Sequence, residues 1–273
     1  MLGLVQGLSE FLPISSSGHL ILVPWLFGWN DFSGYEGAES IQKAFDVALH
    51  LGTLIAVVAY FRHDLAVYVR EGVMMVIDRD RPRTVEGRIA WLLLLATVPA
   101  ALVGAVFEDQ IDKHLGQPWI IGVSMIVFGL LLWWADQKQG IRKLEELNVP
   151  DALKVGAAQA LALNPGTSRS GITITAARWI GFDRDSAARF SFLMSVPVIA
   201  GALLFKGLKL AKDGIPDGLV WPMIVGIITS AIAGWIAVWG TLKLLRTTTF
   251  LPFVIYRVLL GIAVLGIAAS SWR

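Results

Sequence analysis

Three stretches of the chain, residues 89–107, 118–135 and 219–242, contain no Asp, Glu, Lys or Arg. At about 1.5 Å rise per residue, each is long enough as a helix to cross roughly 30 Å of hydrocarbon. Three more runs, 44–61, 187–205 and 250–270, have comparable length but carry Asp46 and His50, Arg189, and Arg257 respectively. The pattern predicts six transmembrane helices, three of them with ionisable side chains inside. Two further apolar regions are too short and too broken to cross. Residues 1–12 and 18–29 flank PISSSG, and 152–163 and 171–180 flank NPGTSRSG. Each arm covers about half a bilayer, and each centre is a proline followed by hydroxyls and glycine. A non-helical turn is tolerated at membrane depth only where protein or a wet cavity surrounds it, so both regions read as re-entrant helix hairpins meeting inside the bundle.

The hairpins resemble each other. QGLSEFLPISSSG (6–18) and QALALNPGTSRSG (159–171) have equal length, begin with Gln and end in Ser-x-Ser-Gly. A weaker echo follows in FDVALHLGTLIA (45–56) and FSFLMSVPVIAG (190–201). The order is hairpin plus three spans, repeated. Three is odd, so the second half sits upside down on the first, the inverted-repeat arrangement of proteins with broken helices. The expected fold is all-α integral membrane: one membrane domain over 1–273, with repeat halves 1–135 and 152–273.

Composition agrees. Of 273 residues, 55% are hydrophobic and only 16% charged, against about 25% charge in a soluble domain, which excludes an ordinary soluble enzyme. With no cysteine, disulfides, thiolate nucleophiles and cysteine-ligated metals are excluded. No basic stripe interleaved with aromatics suggests nucleic-acid binding. Met1 leads directly into LGLVQGLSEFLP, with no basic region or small-residue cleavage site ahead of it, so no signal peptide is expected.

Charge asymmetry gives an orientation. Arg62, Arg70, Arg79, Arg81, Arg83, Arg88, Lys138, Arg142, Lys143, Lys154, Lys243 and Arg246 fall on one side. Lys43, Lys113, Lys206, Lys209, Lys212 and Arg273 fall on the other. The positive-inside rule makes the first set cytoplasmic, with both termini and the mouth of the first hairpin on the outer face. Trp25, Trp29, Trp91, Trp119, Trp133, Trp134, Trp221 and Trp272 lie mostly near segment ends, as lipid anchors do. Residues 67–77 read as an amphipathic interfacial helix.

Chemistry gathers at the hairpins. Gln6, Glu10, Ser15, Ser16, Ser17 and His19 surround the first turn; Asn164, Thr167, Ser168, Arg169, Ser170, Thr173 and Thr175 surround the second. Gln6 and Glu10, four apart, share a helix face. A carboxylate or arginine at membrane depth costs roughly 2.5 to 3.5 kcal/mol on insertion scales, so Glu10 and Arg169 must face a cavity or each other. A bare Glu10–Arg169 clamp would not need the surrounding hydroxyls. An arginine fork, hydroxyls, and glycines (Gly166, Gly171) opening onto a helix N-terminus suit phosphate oxygens. Ser17, Ser170 and Thr175 read as ordinary helix caps. His19 is an imidazole able to protonate a leaving group, or a plain core histidine.

QGLSEFLPISSSGH resembles the Glu/Gln-x-x-x-Glu signature of the bacterial undecaprenyl pyrophosphate phosphatases, the bacitracin-resistance protein family, and PGTSRSGIT resembles their PGxSRSxxT signature. The likeness extends to FDVALHLGTLIAVV, FSFLMSVPVI and FLPFVIYR. The resemblance implies a multi-pass enzyme of the bacterial inner membrane that removes the terminal phosphate of a C55 isoprenyl diphosphate, recycling the lipid carrier for wall polymers. It also implies a divalent cation, Mg²⁺ or Ca²⁺, with Glu10 as metal ligand. On this basis Ser16 is the expected nucleophile, with Ser168 or water as competitors. Glu10 activates the nucleophile or holds the metal, Arg169 stabilises the transferred phosphoryl group, and His19 serves the leaving group. Gln6, Ser15, Gly166, Ser168 and Thr173 are the expected substrate-binding positions. Gln6, an amide, departs from a two-carboxylate metal site. The expected partners are the lipid substrate and the bilayer, with a homodimer kept open. A transporter or flippase of a phosphorylated isoprenoid lipid, binding without cleaving, is the rival reading; a structural subunit is disfavoured by Glu10, Arg169, Arg189 and Arg257.

Overall fold

Within hydrocarbon every backbone amide needs an internal partner, and the apolar runs meet that need as helices. A computed structural model describes residues 1–29, 38–78, 80, 82–213 and 218–270; the side chains at 38–40, 108–114, 206 and 208–213 lie outside that description. So do Arg79, Arg81, Trp272 and Arg273 and the side chains of Lys113, Lys206, Lys209 and Lys212, all used above for orientation or anchoring.

The helices are α1 (Leu2–Phe11), α2 (Ser16–Phe27), α3 (Ala38–Tyr60), α4 (Arg62–Ile77), α5 (Val85–His114), α6 (Pro118–Asp136), α7 (Val149–Gln159), α8 (Arg169–Trp179), α9 (Arg184–Asp213), α10 (Val220–Leu245) and α11 (Leu251–Ala269). Six of them, α3, α5, α6, α9, α10 and α11, are long and apolar enough to cross a membrane, and they match the six expected runs. The short pairs α1–α2 and α7–α8 fall where the broken regions were expected, α7 being continued by a 3-10 turn over Ala160–Leu163. The amphipathic segment is longer than its expected 67–77. It begins at Arg62, because Asp64 sits favourably in its first turn and only Phe61 separates it from the preceding helix, which ends at Tyr60. Among the described residues there is no strand, only an isolated bridge between Arg142 and Phe182.

Small residues set the packing. A Cβ on Gly7 of α1 would stand 2.5 Å from the Ser230 carbonyl oxygen of α10, and one on Gly156 of α7 would stand 2.4 Å from the Ala96 carbonyl oxygen of α5. Gly122 of α6 and Gly261 of α11 abut in the same way. Such approaches gain van der Waals contact between helices that the hydrophobic effect cannot drive together in lipid. Gly156→Val is therefore expected to cost about 1–3 kcal/mol by overpacking and to lower the melting temperature in detergent. Gly201→Ala, where nothing lies within 4 Å, is the neutral control.

Polar groups close one end of the bundle. Asp136, buried at the foot of α6, accepts from Arg178 Nε at 3.2 Å, Arg184 Nε at 2.7 Å and the Phe250 amide at 3.1 Å, joining α6, α8, α9 and α11. Arg142 pairs with Asp151, and Arg189 donates to Asp64 at 2.7 Å while lying over the Phe61 ring. Arg189 is thus a partly exposed tie between α9 and α4. Burial raises the Asp183 carboxyl, but the Lys143 ammonium and the Ser186 amide outweigh it and hold it below the usual carboxylate range.

Candidate active site

The chain makes two irregular turns, and both end in a serine of unusual backbone. Ser15 has φ 79° and Ser168 φ 72°; they are the only non-glycine residues with positive φ among those described. Each caps the helix that follows: Ser15 Oγ accepts from the Gly18 amide at 3.3 Å, Ser168 Oγ from the Gly171 amide at 3.0 Å. The caps are therefore Ser15 and Ser168, and not Ser17, Ser170 and Thr175 as the sequence suggested. Ser170 instead donates to the Leu12 carbonyl, and Thr175 bonds back to Gly171. A side chain in this backbone region costs of order 1–3 kcal/mol and persists only where its surroundings over-determine it.

Those surroundings are the opposite turn. The Gly166 amide donates to Ser15 Oγ at 3.1 Å. Gly166 has φ 92°, and a Cβ there would lie 2.7 Å from the Ile121 carbonyl oxygen, so both conformation and space require glycine. Arg257, fully buried, donates to the Pro13 carbonyl of the first turn and the Gly166 and Thr167 carbonyls of the second.

Capping by Ser15 and Ser168 makes Ser16 the first residue of α2 and Arg169 the first of α8. Both meet Glu10, which is 6% exposed. Ser16 Oγ–H donates to Glu10 Oε2 at 2.5 Å, and Arg169 donates to Oε1 at 3.0 Å. Gln6 Nε2, one turn back on α1, donates to Oε2 at 2.8 Å. Since the carboxylate can only accept, Gln6 must present Nε2 there, which leaves its Oε1 buried with no partner among the described residues. Arg169 is aimed by the Ser191 carbonyl, while Thr173 is fully buried and hydrogen-bonded to the Arg169 carbonyl and Ser191 Oγ. Four expected residues, Gln6, Glu10, Ser16 and Arg169, thus converge on one point, with Ser16 partly exposed.

The remaining expected residues stand one layer away. Ser15 and Gly166 bond each other, Ser168 is taken up by its cap and by Ser170 Oγ at 3.1 Å, and Thr173 supports Arg169. His19 donates through Nδ1 to the Ser15 carbonyl at 2.7 Å, and its Nε2 accepts from the Tyr256 hydroxyl at 2.6 Å, so both ring nitrogens are engaged. Tyr256 was not singled out in the sequence. Nor was His50 given a role, although its Nε2 lies 3.7 Å from Glu10 Oε2; its only sequence signal was an ionisable group inside an apolar run.

Chemically, a hydroxyl on a carboxylate that is itself held by a guanidinium can lose its proton to that carboxylate while the guanidinium binds anionic oxygens. Among the described residues no group of three His, Cys, Asp or Glu is placed to cage a metal.

A family model, Bacitracin resistance protein BacA, matches residues 1–263. The chain is 45% identical to the undecaprenyl-diphosphatase of Pelotomaculum thermopropionicum over 272 residues, covering 99% of this chain and 96% of that one. It is 46% identical to the undecaprenyl-diphosphatase of Aliivibrio salmonicida over 268 residues, covering 97% and 95%, and 45% identical to that of Moorella thermoacetica over 268 residues, covering 98% and 95%. With its two signature turns folded onto one buried carboxylate and likeness along nearly all its length, the chain belongs to the bacitracin resistance protein BacA family.

Proposed function

We propose that this multi-pass membrane protein is an undecaprenyl-diphosphatase, removing the terminal phosphate of a C55 isoprenyl diphosphate to leave the lipid monophosphate for cell-wall synthesis. The observation that carries the reading is the Ser16 hydroxyl bound to Glu10 Oε2 while Arg169 holds the other oxygen of the same carboxylate. In the first step Ser16 Oγ attacks the terminal phosphorus, its proton passes to Glu10, and the bond from that phosphorus to the bridging oxygen breaks, releasing the lipid monophosphate. Glu10 gives up that proton to the departing lipid monophosphate; water then attacks the phosphoserine, one of its protons passing through Glu10 to the departing Ser16 Oγ, and inorganic phosphate leaves with Ser16 restored. Arg169 meets the charge on the transferred oxygens. Ser168, enclosed by its cap and by Ser170, is the weaker candidate nucleophile. His19 is assigned to fixing the Ser15 turn, since its nitrogens are already committed.

The donor set suits a divalent cation shared with the substrate. Glu10 and the unpartnered Gln6 Oε1 would hold Mg²⁺ or Ca²⁺, in keeping with the few protein ligands Mg²⁺ usually takes. Such an ion supplies neutralisation of phosphate charge.

Re-entry of the hairpins and the inverted repeat belong to the same reading. Twin serine caps at matching places, α1 on α10 through Gly3 and Gly7, and α7 on α5 through Gly156 support it. The basic groups Arg142, Arg178 and Arg184 join loops at one end, while the cavity beside Ser17 is lined by Gln42, Lys43 and Gly116 at the other. The site is therefore assigned to the outer face of the bacterial inner membrane.

Purified protein in detergent with Mg²⁺ is expected to release inorganic phosphate from undecaprenyl diphosphate, and EDTA to suppress that release until Mg²⁺ or Ca²⁺ is restored. Arg169→Ala is expected to lower kcat/KM by about 10²–10³-fold, the usual cost of removing one transition-state donor. Wild-type protein that binds the lipid and frees no phosphate would overturn the reading in favour of a transporter.

A further inference from the structure

The end of the bundle closed by Asp136 holds a polar cavity of about 390 Å³, within the roughly 300–1,000 Å³ of small-molecule sites. Its walls are the stretch 136–141 at and beyond the end of α6, Arg178 near the end of α8, residues 183–185 at the start of α9, and Leu245 of α10. Buried contacts fix these walls. Arg178, whose side chain is 3% exposed, donates to the Asp136 carboxylate and to the Asp136, Lys138 and Phe182 carbonyls. A Cβ on Gly140 would stand 2.1 Å from the Phe182 carbonyl oxygen and 2.5 Å from Arg178 Nη1, so only glycine fits there. Arg178 thus covers the carbonyl end of α6 and sets where Lys138 stands.

Three cations, Lys138, Arg178 and Arg184, and three carboxylates, Asp136, Asp183 and Asp185, line the cavity, but the carboxylates are drawn elsewhere. Asp136 is shared by Arg178 and Arg184, and Asp183 is taken by Lys143 from outside the lining. Asp183 first, and Asp185 with it, hold the Lys143 ammonium above the usual lysine range. Two cationic groups remain for a ligand. Arg184, 34% exposed, turns Nε and Nη2 to Asp136, which leaves Nη1 uncommitted among the described residues. Lys138 is exposed and pairs with no carboxylate among the described residues; its ammonium lies over the Trp179 ring, 3.6 Å from the centroid. Trp179 packs on Trp134 with 4.3 Å between centroids, and both rings are exposed. Exposed tryptophans at the ends of membrane helices mark the level where hydrocarbon meets headgroups, and Lys138 joins this aromatic pair to the cavity.

We propose that the cavity binds the phosphate of an anionic glycerophospholipid of the phosphatidylglycerol type, drawn from the leaflet at this end. Lys138 and Arg184 meet its oxygens, while Trp134 and Trp179 lie against the glycerol and the upper acyl chain. The first turn of α9 stands in the same wall, with its positive dipole end favouring an anion. Basic pockets between membrane helices suit such headgroups, and the exposed tryptophan pair favours a lipid over a phosphate in solution. The site shares no residue with Glu10, Ser16 and Arg169, and it stands or falls independently of the phosphatase reading.

The test is native mass spectrometry of the full chain in detergent, titrated with phosphatidylglycerol, phosphatidylcholine or inorganic phosphate. Wild type is expected to take up a first phosphatidylglycerol more tightly than later ones and more tightly than phosphatidylcholine. Lys138→Glu removes one positive charge and adds a negative one, so it should weaken that first binding by about 10–30-fold, and Lys138→Gln by about fivefold. Lys138→Arg should restore it. Lys154→Glu, the same change at an exposed position of α7 outside the lining, should leave it as in wild type. Melting without lipid should be alike in all of these, and should Lys138→Glu melt lower, Lys138→Gln carries the test. Inorganic phosphate at matching concentrations should not displace the lipid. Equal first binding in wild type and Lys138→Gln, equal weakening in Lys154→Glu, or phosphatidylcholine bound as tightly would overturn the site. Displacement by inorganic phosphate would mark a solute site and overturn the assignment to a lipid.

Discussion

Ser16→Ala is expected to cut phosphate release by at least about 10³-fold while leaving the protein folded. Losing a nucleophile removes the covalent route, and three powers of ten correspond to roughly 4 kcal/mol of barrier. The fold should scarcely register the change. Among the described residues Ser16 Oγ makes one hydrogen bond, to Glu10 Oε2, and that oxygen keeps Gln6 Nε2 while the other keeps Arg169. A net loss of about 1 kcal/mol in stability bounds the effect. Ser168→Ala should behave in the opposite way: it deletes the cap of α8, worth about 1 kcal/mol, and retains much of the turnover. Phosphate release in detergent, thermal melting, and peptide mapping of a trapped phosphoserine separate the two. Activity that survives in Ser16→Ala and disappears in Ser168→Ala would reverse the assignment of the nucleophile.

The contrast between these serines also shows what could be seen in the sequence. Six spans were legible because lipid tolerates few charges, so absence of charge alone marks them. The irregular segments were legible because proline and glycine interrupt runs half a membrane long. Which hydroxyl would cap each helix was not. PISSSG and GTSRSG offer several, and the choice falls on Ser15 and Ser168 only because contact between the turns forces positive φ there. Glu10 and Arg169 could be paired from cost alone, since each needed a partner. His50 could not be joined to them, because its approach to Glu10 depends on how α3 lies along α1, a contact no local pattern encodes. Arg189 and Arg257 looked alike as single arginines in apolar runs, yet one pairs with Asp64 near a helix end and the other is fully enclosed.

That enclosed arginine carries the second large effect. Arg257→Met is expected to cost roughly 3–5 kcal/mol in stability, the range for breaking a buried charged network, and to lower phosphate release to the background of Ser16→Ala. Among the described residues Arg257 makes four hydrogen bonds, all to backbone carbonyls: Met125 at 3.2 Å, Pro13 at 3.1 Å, Gly166 at 3.0 Å and Thr167 at 2.9 Å. Glycines make room for it, since a Cβ on Gly171 would lie 2.7 Å from its Nη1. Pro13 precedes the Ser15 turn and Gly166 and Thr167 precede the Ser168 turn, so one guanidinium orders the approach to both strained serines. Without it four buried carbonyls lose this donor, and the turns that set Ser16 and Arg169 on the two oxygens of Glu10 keep, among the described residues, only the Gly166–Ser15 and Ser170–Leu12 hydrogen bonds between them. Arg257→Lys keeps the charge but not the fork, and a single ammonium with three protons cannot reach carbonyls on three separate segments. It should therefore melt between wild type and the Met variant while remaining nearly inactive. The ordering of the three melting temperatures, measured beside phosphate release, checks this. A Met variant that melts with wild type, or a Lys variant with wild-type turnover, would show that the turns are held by their mutual contacts alone.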